Sequence, residues 1–198
     1  EPSPSKSAAA VAEREGRTPQ EVVYDWMLAE DGKAMMFVPL GSYVDQDHEA
    51  IRAMIKHPAS IFGLSDGGAH CGLICDASMP TYLLTHWARD RSRGPKLPVE
   101  LVVHKQTQAT ARVYGLSDRG VLAPGMLADV NVIDHDRLTL HKPYMIHDLP
   151  AGGRRLVQDA DGYLATVKAG EVVVDHDEIT DARPGRMLKA TDGGVLRV

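Results

Sequence analysis

The sequence predicts an α/β fold in which helices alternate with short buried strands, followed by a region of antiparallel strands. In the first third of the 198 residues, amphipathic stretches alternate with short apolar runs. That pattern is typical of a parallel sheet or barrel with helices on its outside. Beyond residue 125 the apolar residues recur at every second position, which indicates β-strands.

The first third contains two predicted helices and two predicted strands. Thr18-Pro19-Gln20-Glu21 is a strong helix start, with Thr18 as N-cap and Glu21 completing a capping box, and we expect that helix to end at Gly32. A second helix is predicted over 45–56. Two apolar runs, 34–40 (AMMFVPL) and 60–64 (SIFGL), have the length of buried strands.

Two further helices are predicted before the β region, over 81–93 and from Pro98 to Gly115. In the β region we expect a strand at 128–133, a hairpin of 155–158 and 163–168 around the turn 159–162, and a strand at 171–174. The tail 182–188 is rich in turn residues. We therefore divide the chain into a barrel part, 1–124, and a β-sandwich part with tail, 125–198.

Composition restricts the partners and the compartment. The net charge is −5 and no stretch is strongly basic, so we expect no nucleic-acid partner. The apolar runs are much shorter than the ~20 residues of a membrane helix, and we expect no membrane association. The two cysteines are too few for a disulfide framework, which favours a cytoplasmic protein.

Asp66 is the strongest candidate for chemistry. It follows the apolar run 60–64 and precedes Gly67 and Gly68, and active sites of barrel folds lie at the carboxyl ends of strands. A carboxylate there can bind a metal and accept a proton from water, while the two glycines let a ligand approach the backbone. The alternative is a structural role, in which Asp66 caps a turn.

Two other arrangements in the same loop are weaker. Gly63 to Gly67 matches the G-x-S-x-G pattern with Ser65 as nucleophile, but that motif requires a helix immediately afterwards and the next predicted helix is about 15 residues away. Four neighbouring residues have the side chains of zinc ligands, namely His70, Cys71, Cys75 and Asp76. A structural zinc site usually has a second pair of ligands farther along the chain, and no such pair follows here. We interpret both cysteines as packed loop residues and leave His70 open as a pocket residue.

The other polar and aromatic candidates are interpreted as structural. We expect a solvated helix face for His104, Lys105 and Arg112. Surface positions are expected for the four scattered histidines of the β region, His135, His141, His147 and His176. Trp26 and Trp87 are expected to belong to helix cores.

Several segments in order resemble the carboxyl-terminal part of the amidohydrolase superfamily, in particular its N-acyl-D-amino-acid deacylase (D-aminoacylase) branch. They are 60–68 (SIFGLSDGG), 120–129 (GVLAPGMLAD), 167–174 and 182–188, together with the helix signal at 13–25. The resemblance covers nearly the whole chain.

The resemblance implies a (β/α)₈ barrel with a small β-sandwich, and an enzyme that uses one or two divalent metals, usually zinc, to cleave an amide bond. It implies that 34–40 and 60–64 are barrel strands seven and eight. It implies that Asp66 binds metal and acts as general base toward a small N-acyl amino acid, with Gly67, Gly68 and His70 lining the substrate pocket.

This sequence also departs from the family pattern. The family's other metal ligands are absent, so we expect a carboxyl-terminal segment whose partner is the upstream part of the same enzyme. Members specific for acidic D-amino acids carry an Arg soon after the aspartate, whereas Asp76 lies in that stretch here, which favours a non-acidic substrate. The alternatives are a noncatalytic fragment that completes a barrel from another chain, and a serine hydrolase using Ser65. A homo-oligomer is a further open alternative.

Overall fold

The computed structural model describes residues 1–39, 41, 43–63, 70–191 and 194–196, with side chains up to residue 188. The chain forms two compact units, Glu1–Ser60 and Ile61–Val198. The division into a barrel part and a β-sandwich part at residue 124 stays a prediction.

The first unit is helical. It contains α1 (Ala8–Glu15), α2 (Pro19–Gly32) and α3 (Glu49–Lys56). Helices α1 and α2 pack together, and the buried apolar residues of this unit are Ala12, Val22 and Ile55. Few side chains are therefore removed from water, and this core is small.

The capping box predicted at the start of α2 is confirmed. The backbone N–H of Glu21 donates to the Thr18 hydroxyl at 3.3 Å, and the backbone N–H of Thr18 donates to the Glu21 carboxylate at 2.8 Å. These bonds from Thr18 lower the pKa of Glu21. The last turn of α2 is irregular, because Glu30 and Asp31 adopt left-handed backbone angles.

The two predicted barrel strands are wrong for the residues that can be compared. Residues 34–39 and 60–63 have no strand structure, and the rest of each predicted strand lies outside the described residues. A strand exists through hydrogen bonds to a neighbouring strand. These short apolar runs find no such neighbour among the described residues, so their hydrophobic pattern alone does not produce a strand.

The second unit begins with two long helical stretches, close to the predicted positions. Helix α4 (Met79–Tyr82) continues as π-helical turns over Leu83–Asp90. Helix α5 (Val99–His104) continues as π-helical turns over Lys105–Ala109 and then as α6 (Thr110–Val113). Most of the buried apolar side chains of this unit lie on or beside these stretches, namely Leu83, Leu84, Trp87, Leu97, Val102 and Ala111. Along the described part of the chain, no helix combines the length and apolarity needed to cross a membrane.

The β region is antiparallel, as predicted. Its strands are β1 (Val130–Ile133), β2 (Thr139–Leu140), β3 (Tyr144–Leu149), β4 (Gly153–Val157), β5 (Ala160–Asp161), β6 (Tyr163–Lys168), β7 (Glu171–Asp175), β8 (Glu178–Ile179), β9 (Lys189–Thr191) and β10 (Gly194–Leu196). The largest sheet has the order β1-β6-β7-β8. Strands β3 and β4, β2 and β5, and β9 and β10 form separate pairs. All these pairs are antiparallel, so the described residues form small antiparallel sheets and not the parallel sheet or barrel that the first third predicted.

The predicted hairpin across 159–162 is wrong. Strand β4 pairs with β3, with Tyr144 opposite Val157, and β6 pairs with β1 and β7. The intervening residues form β5, which pairs with β2. The turn signal was correct at Ala169-Gly170, where φ values of 52° and 87° join β6 directly to β7.

The run 120–129 contains two glycines in left-handed conformations and ends in an aspartate that binds three donors. Gly120 and Gly125 both adopt φ of 87°, and a Cβ on Gly120 would lie 3.1 Å from Ala111 Cβ. At the end of the run, Asp129 accepts hydrogen bonds from Lys168 Nζ at 2.9 Å, from the Ala169 N–H at 2.8 Å and from Arg119 at 3.1 Å. Burial opposes ionisation of Asp129, but these donors outweigh it and lower its pKa. Asp129 therefore connects the residues that lead into β1 with the turn between β6 and β7.

Arg89 connects the helical and β parts of the second unit. Its guanidinium donates to the backbone carbonyl oxygens of His135, of Asp136 at 3.3 Å and of Leu138 at 2.7 Å, and pairs with Asp90 at 2.7 Å. Since a guanidinium offers five donors in one plane, a single side chain holds the loop between β1 and β2 against the helix.

Candidate active site

The predicted catalytic loop lies partly outside the described residues. Ser65, Asp66, Gly67 and Gly68 are among the residues that the structure does not describe. The chain is described up to Gly63 and again from His70. The first described residues that follow the aspartate are 70–78, which we call the return segment.

The return segment starts with a tight turn. The carbonyl oxygen of His70 accepts hydrogen bonds from the N–H groups of Leu73 at 2.7 Å and Ile74 at 3.0 Å. His70 itself is exposed and has φ of 45°, a conformation that is uncommon for residues other than glycine. The pocket position predicted for His70 stays a prediction, because the residues between it and Asp66 lie outside the described part of the chain.

The segment is then joined to β4 near its start and to the residue after β4 at its end. The carbonyl oxygen of Cys71 accepts a hydrogen bond from the N–H of Leu156 at 2.7 Å. At the other end, the hydroxyl of Ser78 donates to Oε1 of Gln158 at 2.6 Å. Leu156 also pairs with Met145 of β3, so the return segment occupies the opposite side of β4.

The start of α4 is held by a further long-range bond. The hydroxyl groups of Thr81 and Tyr163 are 2.7 Å apart, and Thr81 is buried. The first residues after the return segment are thereby attached to β6. Ser78 and Gln158 were missed in the sequence. The serine could have been noticed as the residue before a helix that starts Met-Pro, whereas nothing in the local sequence marks Gln158.

The cysteines behave as the packed loop residues that we predicted. Cys71 and Cys75 are free thiols and half-buried. Burial, with a smaller effect of the Asp76 charge, raises the pKa of the Cys75 thiol, and zinc requires the thiolate. Asp76 is exposed. Within either unit, the described residues bring no three His, Cys, Asp or Glu ligand atoms within 4.8 Å of one another.

A carboxylate oxygen is nevertheless an ordinary zinc ligand, so Asp66 fits a metal by the chemistry of its side chain. The described thiols are less suited to a metal, since burial raises the pKa of Cys75 and the Cys71 Sγ lies 3.9 Å from the carbonyl oxygen of Arg154.

Most of the other polar residues lie where the sequence predicted. His104 and Arg112 are exposed, and so are His141, His147 and His176. His135 is half-buried, with Nε2 3.3 Å from the carbonyl oxygen of Leu84. Trp87 is 3% exposed, as expected for helix core. Lys105 is the error: it is only 5% exposed, because it lies three residues after the buried Val102 and so on the same helix face.

Two grooves in the second unit are separate from the return segment. The larger, about 710 Å³, runs along β1, β6 and β7 and includes Asp129, Lys168 and Arg183. The smaller, about 450 Å³, is lined by polar residues that include Asp134, Asp161 and Asp177. Neither is lined by a residue that the sequence predicted for the active site.

Comparison with known proteins gives a consistent assignment. Residues 4–174 match the model of the amidohydrolase family. The chain is 34% identical over 126 residues to an N-acyl-D-glutamate deacylase of Alcaligenes xylosoxydans xylosoxydans, an alignment covering 61% of this chain and 25% of that protein. It is 26% identical over 182 residues to an N-acyl-D-aspartate deacylase of the same organism, covering 91% of this chain and 34% of that protein.

The chain thus spans between a quarter and a third of the length of these curated relatives. No solved structure matches it.

Proposed function

The chain belongs to the amidohydrolase family, and we propose that it is the carboxyl-terminal part of a metal-dependent hydrolase that removes the acyl group from N-acyl-D-amino acids. The observation that carries this proposal is that two curated relatives, with different amino-acid specificities, are both named as deacylases of N-acylated D-amino acids. The reaction that both relatives share is a better guide to the function of this chain than the amino-acid side chain that either relative accepts.

The proposed reaction is hydrolysis of an amide. A water oxygen forms a bond to the acyl carbon, the C–N bond breaks, and one proton of the water passes to the leaving nitrogen. The products are a carboxylic acid and the free amino acid, which then ionise. The central requirement is a group that takes a proton from water and returns it to a poor leaving group.

We assign that role to Asp66. Its carboxylate would accept the proton from water and donate it to the departing amine, and its oxygens would also bind the metal. A divalent ion such as zinc, when bound, would supply the Lewis acidity that lowers the pKa of water and polarises the acyl carbonyl. Gly67 and Gly68 would let the substrate backbone approach, and the exposed ring of His70 would contact it.

The test is the Asp66→Asn variant of the full-length protein. Asparagine keeps the size of the side chain but cannot accept the proton, so we expect kcat to fall by roughly 10²- to 10⁴-fold. Asp136→Asn is the control, because it removes an exposed carboxylate to which no catalytic or specificity role is assigned; we expect kcat within about threefold of the wild-type value. Equal activity of Asp66→Asn and the wild type would refute the assignment.

Two further experiments separate the metalloenzyme from a serine hydrolase and from a noncatalytic fragment. A metalloenzyme loses activity on dialysis against a chelator and regains it with added zinc, whereas a serine hydrolase resists chelation and is inactivated by Ser65→Ala. In the return segment, residues 70–78 contain turns and no helix, which gives the nucleophile motif no support from its surroundings. A noncatalytic fragment would be indicated if neither substitution changed activity.

Substrate specificity is decided by a panel of N-acetyl amino acids. The two named relatives act on D-glutamate and D-aspartate derivatives, whereas Asp76 follows Asp66 here where acidic-specific members carry an Arg. We expect hydrolysis of N-acetyl-D-leucine to exceed that of N-acetyl-D-glutamate and N-acetyl-D-aspartate, with the L-enantiomers unreactive. A preference for the acidic substrates would reject the inference from Asp76 and leave the deacylase proposal in place.

A further inference from the structure

Two Asp-Gly pairs within the described residues have very different surroundings. One is Asp31-Gly32, at the end of α2, and the other is Asp161-Gly162, at the end of β5. An Asp-Gly pair is prone to a rearrangement of its own backbone, because glycine has no Cβ to keep its amide nitrogen away from the aspartate side chain. The same dipeptide can therefore be compared in two environments of one chain.

The first pair lies on an exposed turn. Glu30, Asp31 and Gly32 all have left-handed backbone angles, with φ of 54°, 57° and 76°, and all three are exposed. The Ala34 N–H closes the turn behind them by donating to the carbonyl oxygen of Ala29 at 3.2 Å. Left-handed angles are unfavourable for residues other than glycine, so the Asp31 backbone loses little by rotating out of this conformation.

The carboxylate of Asp31 is also available for reaction. Among the described residues, none forms a hydrogen bond or an ion pair with it. Neither the side chain nor the backbone conformation of Asp31 is therefore held by an interaction that a reaction with its neighbour would have to break.

The second pair is held at both of its reacting groups. Oδ2 of Asp161 lies 2.8 Å from Nε2 of His141, and the N–H of Gly162 donates to Asp177 at 3.1 Å. Asp161 also belongs to β5, where it pairs with Thr139. The Asp161 carboxyl carbon therefore meets the Gly162 nitrogen only after these interactions have opened.

We propose that Asp31-Gly32 is a site of spontaneous backbone modification, at which aspartate converts to isoaspartate, whereas the fold protects Asp161-Gly162. First, the Gly32 nitrogen forms a bond to the side-chain carboxyl carbon of Asp31, and the amide hydrogen leaves with the carboxyl OH as water. Water then adds to the α-carbonyl carbon of the resulting cyclic succinimide, and the bond from that carbon to the Gly32 nitrogen breaks. The main chain now runs through the former side chain, and the α-carbonyl has become a free carboxylate.

The two steps release one water molecule and consume one, so no oxidant, reductant or other reactant is required. The product has the mass of the starting protein but a longer main chain at the end of α2. Neither Asp31 nor Gly32 takes part in the hydrolysis proposed above, so the modification and the proposed function can fail independently of each other.

The experiment incubates the full-length protein in warm neutral buffer and measures isoaspartate at each pair by peptide mapping. A modified peptide keeps its mass, elutes separately and resists an endoproteinase that cleaves before aspartate. We expect at least about tenfold more isoaspartate at Asp31 than at Asp161, because reaction at the second pair requires two hydrogen bonds to open. Asp31→Glu, which would have to form a larger ring, should give no such product at that position.

A parallel incubation in concentrated urea measures the reactivity of both pairs without the fold, and there we expect similar rates. In the folded protein, His141→Ala should increase isoaspartate at Asp161, because it removes the bond to that carboxylate. His147→Ala is the matched control: this exposed histidine of β3 lies near the carbonyl oxygen of Gly152 and should leave Asp161 unchanged. The proposal is overturned if Asp31 stays unmodified in the folded protein, or if the ratio between the two pairs is the same with and without urea.

Discussion

Gly162 is a position in the second unit that leaves little room for a side chain. Its φ is 108°, and an added Cβ would lie 2.7 Å from Leu138 Cα and 3.0 Å from Leu138 N. Leu138 is fully buried, so its backbone cannot move aside easily. The N–H of Gly162 also donates to Asp177 at 3.1 Å. Glycine is therefore required here for both conformation and space.

We predict that Gly162→Ala lowers the free energy of unfolding by roughly 2–4 kcal/mol, the sum of backbone strain and a contact with backbone atoms. Gly170→Ala is the matched control: its φ of 87° imposes strain, but nothing lies within 4 Å of the added Cβ, so about 1–3 kcal/mol is expected there. Thermal melts of the two variants measure the difference. A smaller loss for Gly162→Ala than for Gly170→Ala would contradict the prediction.

At the scale of the element, the helical stretch from Val99 to Val113 is distorted around Lys105. The wider turns of Lys105–Ala109 leave carbonyl groups that hydroxyl side chains satisfy, with Thr110 Oγ1 donating to the carbonyl oxygen of Lys105 at 2.7 Å. The Lys105 side chain is carried inward, and burial lowers the pKa of its ammonium group. The protein therefore contains a charge whose desolvation opposes folding at neutral pH.

The sign of the pH dependence follows from that lowered pKa. Below the folded-state pKa of Lys105 the amine is charged in both states, and the desolvation cost is present in full. It disappears as pH rises through the unfolded value of about 10.5. We predict that the melting temperature of the wild type rises by a few degrees relative to that of Lys105→Met as the pH goes from 7 to about 10.5. Lys96→Met, at an exposed position, should show no such relative change. A difference between the wild type and Lys105→Met that does not vary with pH would contradict the account.

The same elements show which features could be predicted from sequence. The capping box at Thr18 was correct because its partners are three residues apart. The hairpin predicted across 159–162 was wrong because β4 pairs with β3 and not with β6. Which strand β4 pairs with depends on packing between segments that are distant in the chain. The burial of Lys105 was missed because its charge favoured a solvated position, although an α-helical period places it on the face of the buried Val102, three residues before it. Asp66 became the catalytic candidate through its position after an apolar run, and its role stays a prediction, whereas Gln158 acquires its contacts only through the fold.

Apolar side chains of the first unit are left exposed to solvent. Phe37 is 74% exposed, Val38 66% and Val44 90%. The first two belong to the run 34–39, which has no strand partner among the described residues. Single exposed apolar residues are ordinary, but a contiguous run with unpaired backbone groups is a template for association with another chain. The relatives that this chain matches are three to four times longer than the aligned part.

We predict that the 198-residue chain, purified alone, self-associates in a concentration-dependent way, measured by size-exclusion chromatography with light scattering. The double variant Phe37→Ser/Val38→Thr should lower the associated fraction, because it removes apolar surface from the unpaired run without touching a buried residue. Leu122→Ser is the control, since Leu122 is 83% exposed but lies outside that run; it should leave association unchanged. A monodisperse monomer that unfolds cooperatively would show that 34–39 needs no partner, and the interpretation of this chain as one part of a larger fold would then lose its physical basis.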